Sequence, residues 1–173
     1  MNRLQAIPFQ FSDDGIIPNN PELPVLVYPG VLRSNPQETE AIFNSHGWLN
    51  SWTNGVFDYH HYHSNCHEVL GVIRGNVLIQ LGGEQGRQLQ LNTGDVALLP
   101  AGTGHKKLSA SPGFQIVGAY PGGMDYNTRR GTQGDRQEAL AEIPQVPIPD
   151  TDPVYGKAGP VHTLWRREPD GVK

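Results

Sequence analysis

The sequence predicts an all-β fold, a sandwich or small barrel with a few flanking helices. Three observations carry that expectation. Between residues 48 and 120, short apolar runs are separated at close intervals by Gly, Asn, Asp or Pro. That is the grammar of many short strands, not of a parallel α/β sheet. Glycine and proline number 21 and 15, many turn formers yet short of a low-complexity chain. The 173 residues with their one cysteine suit a single domain whose core needs no disulfide.

The elements follow in order. The first thirty residues are punctuated by Pro8, Pro18, Pro21, Pro24 and Pro29. Residues 23–28 read as an extended segment between turns. Pro24 inside that segment places it on a sheet edge. Asn35-Pro36 opens a helix, with Asn35 as N-cap and Pro36 in the first turn. Glu38 and Glu40 suit its positive end, and Gly47 closes it. Residues 71–74, 77–81, 89–91, 96–99 and 114–120 each read as a strand. Gly75-Asn76, Gly82-Gly83, Gly94-Asp95 and Pro112-Gly113 punctuate them. Residues 135–143 turn helical again, with Asp135 as cap, Glu138 completing a capping box and Pro144 as the stop. The tail, 144–173, is rich in Pro and Gly. Its apolar residues Val154, Tyr155, Leu164 and Trp165 are expected to dock on the barrel or on a partner subunit. No internal repeat and no second domain is visible.

Composition narrows the function. Net charge is −4 and the sequence pI is near 5.9. No basic run exceeds two residues, which argues against nucleic-acid binding through phosphates. No apolar run approaches the ~20 residues of a membrane span. The N-terminal residues lack the apolar core and cleavage site of a secretory signal. With a single cysteine, Cys66, a reducing, cytoplasmic setting is expected. There remains a domain acting on a small molecule or on another protein.

The histidines point to the first of these. Seven occur, at 46, 60, 61, 63, 67, 105 and 162. His60, His61, His63 and His67 fall within eight residues, and Glu68 follows directly. Alternate side chains of a strand share a face. His61 and His63 therefore point one way and His60 the other. Residues 64–67 read as a short polar connection, and Glu68 opens the next antiparallel strand beside the histidines. That strand is apolar on both faces: Leu70 and Val72 lie on the face of Glu68, Val69 and Ile73 on the other. A carboxylate on a buried face is costly unless its charge is compensated. A divalent cation compensates it, and neutral imidazoles with a carboxylate are suitable ligands. His105, after the turn 100–104, is a third histidine. A polar surface loop holding the same residues without metal is the competing reading.

The spacing is more restrictive than the residue types. Gly55 is followed by five residues, His61, one residue, His63, four residues, Glu68, six residues and Gly75. Gly94 is followed by five residues, Pro100, one residue, Gly102, two residues and His105. Over residues 55–120 the chain resembles the cupin superfamily, whose two motifs have these spacings. The run from His61 to Gly75 is similar to uncharacterised bacterial cupins of the YjlB type. The resemblance implies a jelly-roll barrel, a double-stranded β-helix, with a metal inside one end. It implies one cupin domain over 1–173, with its core at about 55–120, an N-terminal flank 1–54 and a C-terminal helix and tail 121–173. It also implies His61, His63, Glu68 and His105 as metal ligands. One departure is Ser109, where cupins often have a non-ligating asparagine.

Other residues fall beside these. Tyr59 is two before His61 and shares its face, so its hydroxyl either contacts substrate or fills the barrel rim. Lys107, two after His105, points inward to a substrate carboxylate, or else is solvated like Lys106. His67 faces away from Glu68 and is a hydrogen-bonding support for the ligands. It replaces Glu68 at the metal if a bulge shifts the phase. Cys66 reads as a reactive thiol or, more commonly, a small packed side chain. The expected function is a metal-dependent cupin enzyme of dioxygenase type acting on a small molecule. Alternatives are a metal-dependent isomerase or decarboxylase, and a non-catalytic ligand-binding cupin. The cofactor is one divalent transition metal, Fe, Mn, Ni, Co or Zn. A homodimer is expected, paired through the apolar flanks around residues 23–28 and Leu164-Trp165.

Overall fold

The computed structural model describes residues 5–167. In chain order these form β1 (Ile7–Phe9), β2 (Val25–Tyr28), α1 (Thr39–Ser45), β3 (Trp48–Asn54), β4 (Glu68–Arg74), β5 (Asn76–Leu81), β6 (Arg87–Asn92), β7 (Val96–Leu99), β8 (His105–Ala110), β9 (Gln115–Pro121), α2 (Gln133–Glu142) and α3 (Pro160–Leu164). The strands make two antiparallel sheets. One has six strands in the order β1-β2-β7-β4-β9-β3, the other three in the order β6-β5-β8.

Alternation along the strands explains the layering. Val25 and Val27 of β2, Leu70 and Val72 of β4, and Ala97 and Leu99 of β7 face the smaller sheet, where they meet Val77, Ile79 and Leu81 of β5. The intervening residues, Leu26, Tyr28, Val69, Val96 and Leu98, face the other way and are covered by Phe43 of α1, Val161 of α3 and Trp165. The central strands β2, β7, β4 and β9 of the six-stranded sheet are thus buried on both faces. This is why residues 68–74 are apolar on both sides, as the sequence predicts. The jelly-roll arrangement of antiparallel sheets with few helices is present.

Several elements differ from expectation. Residues 25–28 are not an edge strand. Pro24 lies just before β2, so the missing N–H costs no ladder bond, and β1 pairs outside it through Ile7–Val27 and Phe9–Val25. The first helix begins as a 3₁₀ turn, Pro36–Glu38, and Asn35 makes no side-chain cap bond. Thr39 Oγ1 instead donates to the Pro36 carbonyl at 2.7 Å and closes that tight turn. The cap of α2 is Thr132, whose hydroxyl accepts from the Asp135 amide. Asp135 is the third residue of the helix, not its cap. Residues 59–63 do not form a strand. His61 makes one isolated bridge to His105, and Tyr62 another to Arg129. The neighbours of β4 are β7 and β9, so the histidine segment does not lie beside it.

The tail docks on its own chain. Asp152 is fully buried; it accepts from Tyr28 Oη at 2.7 Å, from the Val154 and Tyr155 amides and from the Val161 amide. The Trp165 indole N–H donates to the Pro24 carbonyl at 2.8 Å. Leu164 remains exposed. Among the described residues no helix is long and apolar enough to cross a membrane.

Candidate metal centre

Three separate devices bring the histidines together. His61 is held opposite His105 by a reciprocal backbone pair, His61 N to His105 O at 3.2 Å and His105 N to His61 O at 3.0 Å. Gly102, at φ 94°, turns the chain into β8, and its amide donates to the His63 carbonyl at 2.7 Å. That conformation strains any residue with a Cβ. His63 is fixed from the other side by the segment 125–129. There Asn127 accepts from the Ser64 amide through Oδ1, and Arg129 pairs its backbone with Tyr62. Glu68, the first residue of β4, enters from the six-stranded sheet on the face of Leu70 and Val72.

The ring orientations follow one rule. Each Nδ1 meets a backbone carbonyl: His61 that of Tyr59 at 3.1 Å, His63 that of Asn127 at 2.5 Å, and His105 that of Thr103 at 3.0 Å. A carbonyl only accepts, so each Nδ1 carries the proton. In the neutral tautomer the lone pair then sits on Nε2. Ligand atoms of the three rings lie within 4.8 Å of one another. Glu68 Oε2 is 3.4 Å from His63 Nε2, and Oε1 is 3.4 Å from His105 Nε2. Donors sharing an ion at ~2.0–2.2 Å sit roughly 3 Å apart at right angles. The four side chains are each 6 % exposed or less. The residues present therefore fit a divalent transition metal held by nitrogen and oxygen donors.

Electrostatics agree with this geometry. Burial and the neighbouring His105 lower the pKa of His61 to about 3, keeping it neutral. Burial works against ionisation of Glu68, but His63 and His105 outweigh it and hold the carboxyl below the usual carboxylate range. His63 is the converse: burial opposes its charge, the Glu68 carboxylate favours it, and the pKa rises. A buried carboxylate here calls for a cation, whether a proton on His63 or a metal ion.

A cavity of about 240 Å³ adjoins the cluster and is lined by the three histidines and Glu68. Its apolar walls are Trp52, Val56, Phe57, Leu70, Tyr120 and Tyr126. Tyr120, on β9, donates its hydroxyl proton to Glu68 Oε2 at 2.6 Å and accepts from the Trp52 indole N–H at 2.9 Å. Trp52 reaches it by lying across Gly118, where a Cβ would come within 2.3 Å of the indole. Sequence reasoning missed Tyr120, Trp52, Asn127 and Tyr126. The signal for Tyr120 was its place in a β9 strand pairing with β4, which no local pattern reveals.

The remaining expected residues are placed otherwise. Tyr59 does not line the cavity. Its phase relative to His61 assumed a strand, and without one its ring stacks on Phe57 at 4.9 Å beneath the Arg130 guanidinium at 3.8 Å. Lys107 does not line the cavity either; it pairs opposite Ile79, and its amide donates to the Phe57 carbonyl. Lys106 is paired with Glu84 at 2.8 Å. His67 touches none of the four clustered side chains. Its Nδ1 accepts from the Ala101 amide at 2.9 Å, its Nε2 faces the Pro147 carbonyl at 3.0 Å, and its ring packs 4.7 Å from that of Trp165. It fastens the 100–104 turn to the tail, one step removed from the ligands. Cys66 is buried, and burial with the nearby Glu68 pushes its thiol up to about 12, so it is a packed side chain and not a thiolate.

Comparison with known proteins completes the picture. No family model matches the chain. The Bacillus subtilis (strain 168) protein described as "Uncharacterized protein YjlB" is 48% identical over 155 residues, 90% of this chain and 93% of that one. The chain belongs to the YjlB family. The two motifs and the two-sheet core of this chain resemble those of the cupin superfamily. Among solved structures, an acireductone dioxygenase from Bacillus anthracis with cadmium in its active centre is 17% identical, with a TM-score of 0.35, over 52% of this chain and 60% of that one. A DUF861 protein from Thermotoga maritima is 18% identical over 54% of this chain and 96% of that one, TM-score 0.35. Oxalate decarboxylase OxdC of Bacillus subtilis is 17% identical over 70% of this chain and 32% of that one, TM-score 0.38. At these scores they are likenesses only.

Proposed function

We propose that this YjlB-family cupin is a metal-dependent enzyme of dioxygenase type, with one divalent ion on His61, His63, Glu68 and His105. The observation that carries the reading is the shared tautomer of the three histidines. Three carbonyls hold three Nδ1 protons, and three Nε2 lone pairs converge beside one carboxylate. An ion held there supplies a Lewis-acid centre with open positions, where iron suits dioxygen chemistry and Mn, Ni, Co or Zn suit carbonyl polarisation. The chain supplies the rest. Tyr120 fixes the Glu68 carboxylate and keeps Oε2 engaged. The aromatic walls hold a small substrate against the cluster.

Elemental analysis of the purified protein is expected to give one transition metal per chain. His61→Ala and His105→Ala are each expected to abolish it, and full metal in both variants overturns the assignment. Oxygen uptake by the iron-loaded protein, screened over small molecules, tests the dioxygenase reading. Turnover without oxygen consumption favours the isomerase or decarboxylase alternative, and no turnover favours a ligand-binding cupin. We further propose a reducing, cytoplasmic setting, supported by the lone buried Cys66.

A further inference from the structure

We propose that the cavity selects a flat, single-ring molecule carrying at most one negative charge and discriminates against dicarboxylates and phosphates. The inference rests on the metal-site reading and extends it to substrate class. Its first support is an absence among the lining residues: no Lys or Arg is one of them. Three cations nearby in sequence are engaged elsewhere. Arg129 is committed to Asp135, Glu138 and Glu142, Lys106 to Glu84, and Arg130 to the ring of Tyr59. The cavity already contains one buried carboxylate, Glu68. A divalent ion on Glu68 leaves one net positive charge, enough for a single carboxylate or phenolate. A second carboxylate or a phosphate would meet no counter-charge beside Trp52, Leu70 and Tyr120, which is costly.

The second support is shape. Tyr120 and Tyr126 stack at 4.4 Å with their planes 20° apart. Tyr126 also stands 5.0 Å from the His63 ring, and Trp52 flanks Tyr120. The two tyrosines cover each other's facing sides, so their edges and outer faces, with Trp52, offer the edge and offset contacts that aromatic rings prefer. An apolar cavity of about 150 Å³ holds benzene, so about 240 Å³ holds one ring with small substituents and not two fused rings with side chains. The other polar groups at the walls, Thr53, Asn54 and Thr128, are uncharged and suited to a substituent's hydrogen bond.

The test compares phenol, benzoate and malonate on zinc-loaded protein at pH 8, read by ligand-observed NMR and by tryptophan fluorescence. Zinc is redox-silent, so the readout is binding and not turnover. Phenol and benzoate are each expected to bind at least tenfold tighter than malonate. Tyr126→Ala, an exposed position whose loss spares the core, is expected to weaken phenol several-fold. Thr128→Lys, also exposed, is expected to narrow the gap by supplying malonate with the missing cation. Malonate binding as tightly as phenol overturns the proposal, as does zinc-loaded protein that binds none of the three. If the chain holds no zinc yet prefers phenol in the metal-free form, the metal reading fails and the selectivity stands.

Discussion

Tyr120 joins two groups: it donates to Glu68 and accepts from Trp52. Tyr120→Phe removes one oxygen, leaves Glu68 Oε2 with His63 at 3.4 Å and no hydroxyl donor, and leaves the part-buried Trp52 indole N–H without its acceptor. The expected cost is about 1–3 kcal/mol of stability by urea unfolding. Because Glu68 is then free to turn, metal affinity is expected to fall ~10–100-fold in a competitive chelator titration. Unchanged affinity would show that the hydroxyl does not orient Glu68. His67 makes a second residue-scale prediction. Burial, with Arg167 nearby, lowers its pKa to about 3, against ~6.5 in an unfolded chain. Between those values the unfolded chain binds the proton and the folded chain does not. Stability is therefore lost as pH falls below ~6.5, about 2 kcal/mol from this residue between pH 7 and pH 5. His67→Gln is expected to flatten that part of the urea-midpoint curve, and an equal slope in both proteins would count against it. The positions of His61, His63, Glu68 and His105 were legible because motif spacing encodes them. Tyr59 misled because its phase was counted along a strand that does not form. Tyr120 was invisible because the pairing of Val69 with Ala119, 50 residues apart, is what carries the next residue to Glu68.

At the scale of elements, the site is a joint between the histidine segment and α2. Arg129 is the fastening: it donates to Ser64 Oγ at 2.7 Å and to Glu142 at 2.7 Å, with weaker or more exposed links to Glu138 and Asp135. Its side chain is 13% exposed. Arg129→Ala is expected to destabilise the protein by about 1–3 kcal/mol, mostly through Ser64 and Glu142, since pairs to exposed carboxylates contribute little. The distinctive expectation is local: faster amide hydrogen exchange at 62–65 and 127–129, with β4 and β9 unchanged, and faster metal loss to a chelator. Uniform loss of protection would show that Arg129 braces the whole fold instead. The central strands β4, β5, β7 and β9 were legible from apolar runs bounded by turn residues. β1, three residues with a proline, and β3, the polar-rich WLNSWTN on the sheet's outer edge, offer no such run. β8 begins His-Lys-Lys and is half exposed. Tertiary pairing alone makes these three into strands.

For the whole molecule, both flanks fold onto their own chain, so a homodimer needs another surface. The outer strand β3 presents Leu49, 41% exposed, and the adjoining turn presents Met124, 39% exposed. Light scattering at micromolar concentration is expected to give close to twice 19.0 kDa, and Leu49→Glu to return the single-chain mass. A wild-type mass of one chain removes the dimer. Deleting residues 1–30 is no test of assembly, because it takes out β1 and β2 and opens the six-stranded sheet. The suture of Trp165 to Pro24 bears on how the protein is made. Residues 24 and 165 stand 141 positions apart, and Val161 and Trp165 cover the outward face of β2 and β7. A ribosome must therefore make residue 165 before that face can be sealed. The growing polypeptide carries an uncovered apolar sheet until then, and stop codons or proteolytic trimming near residue 160 leave it so. Such truncated products are the form in which this cupin would be drawn to chaperones or to aggregates.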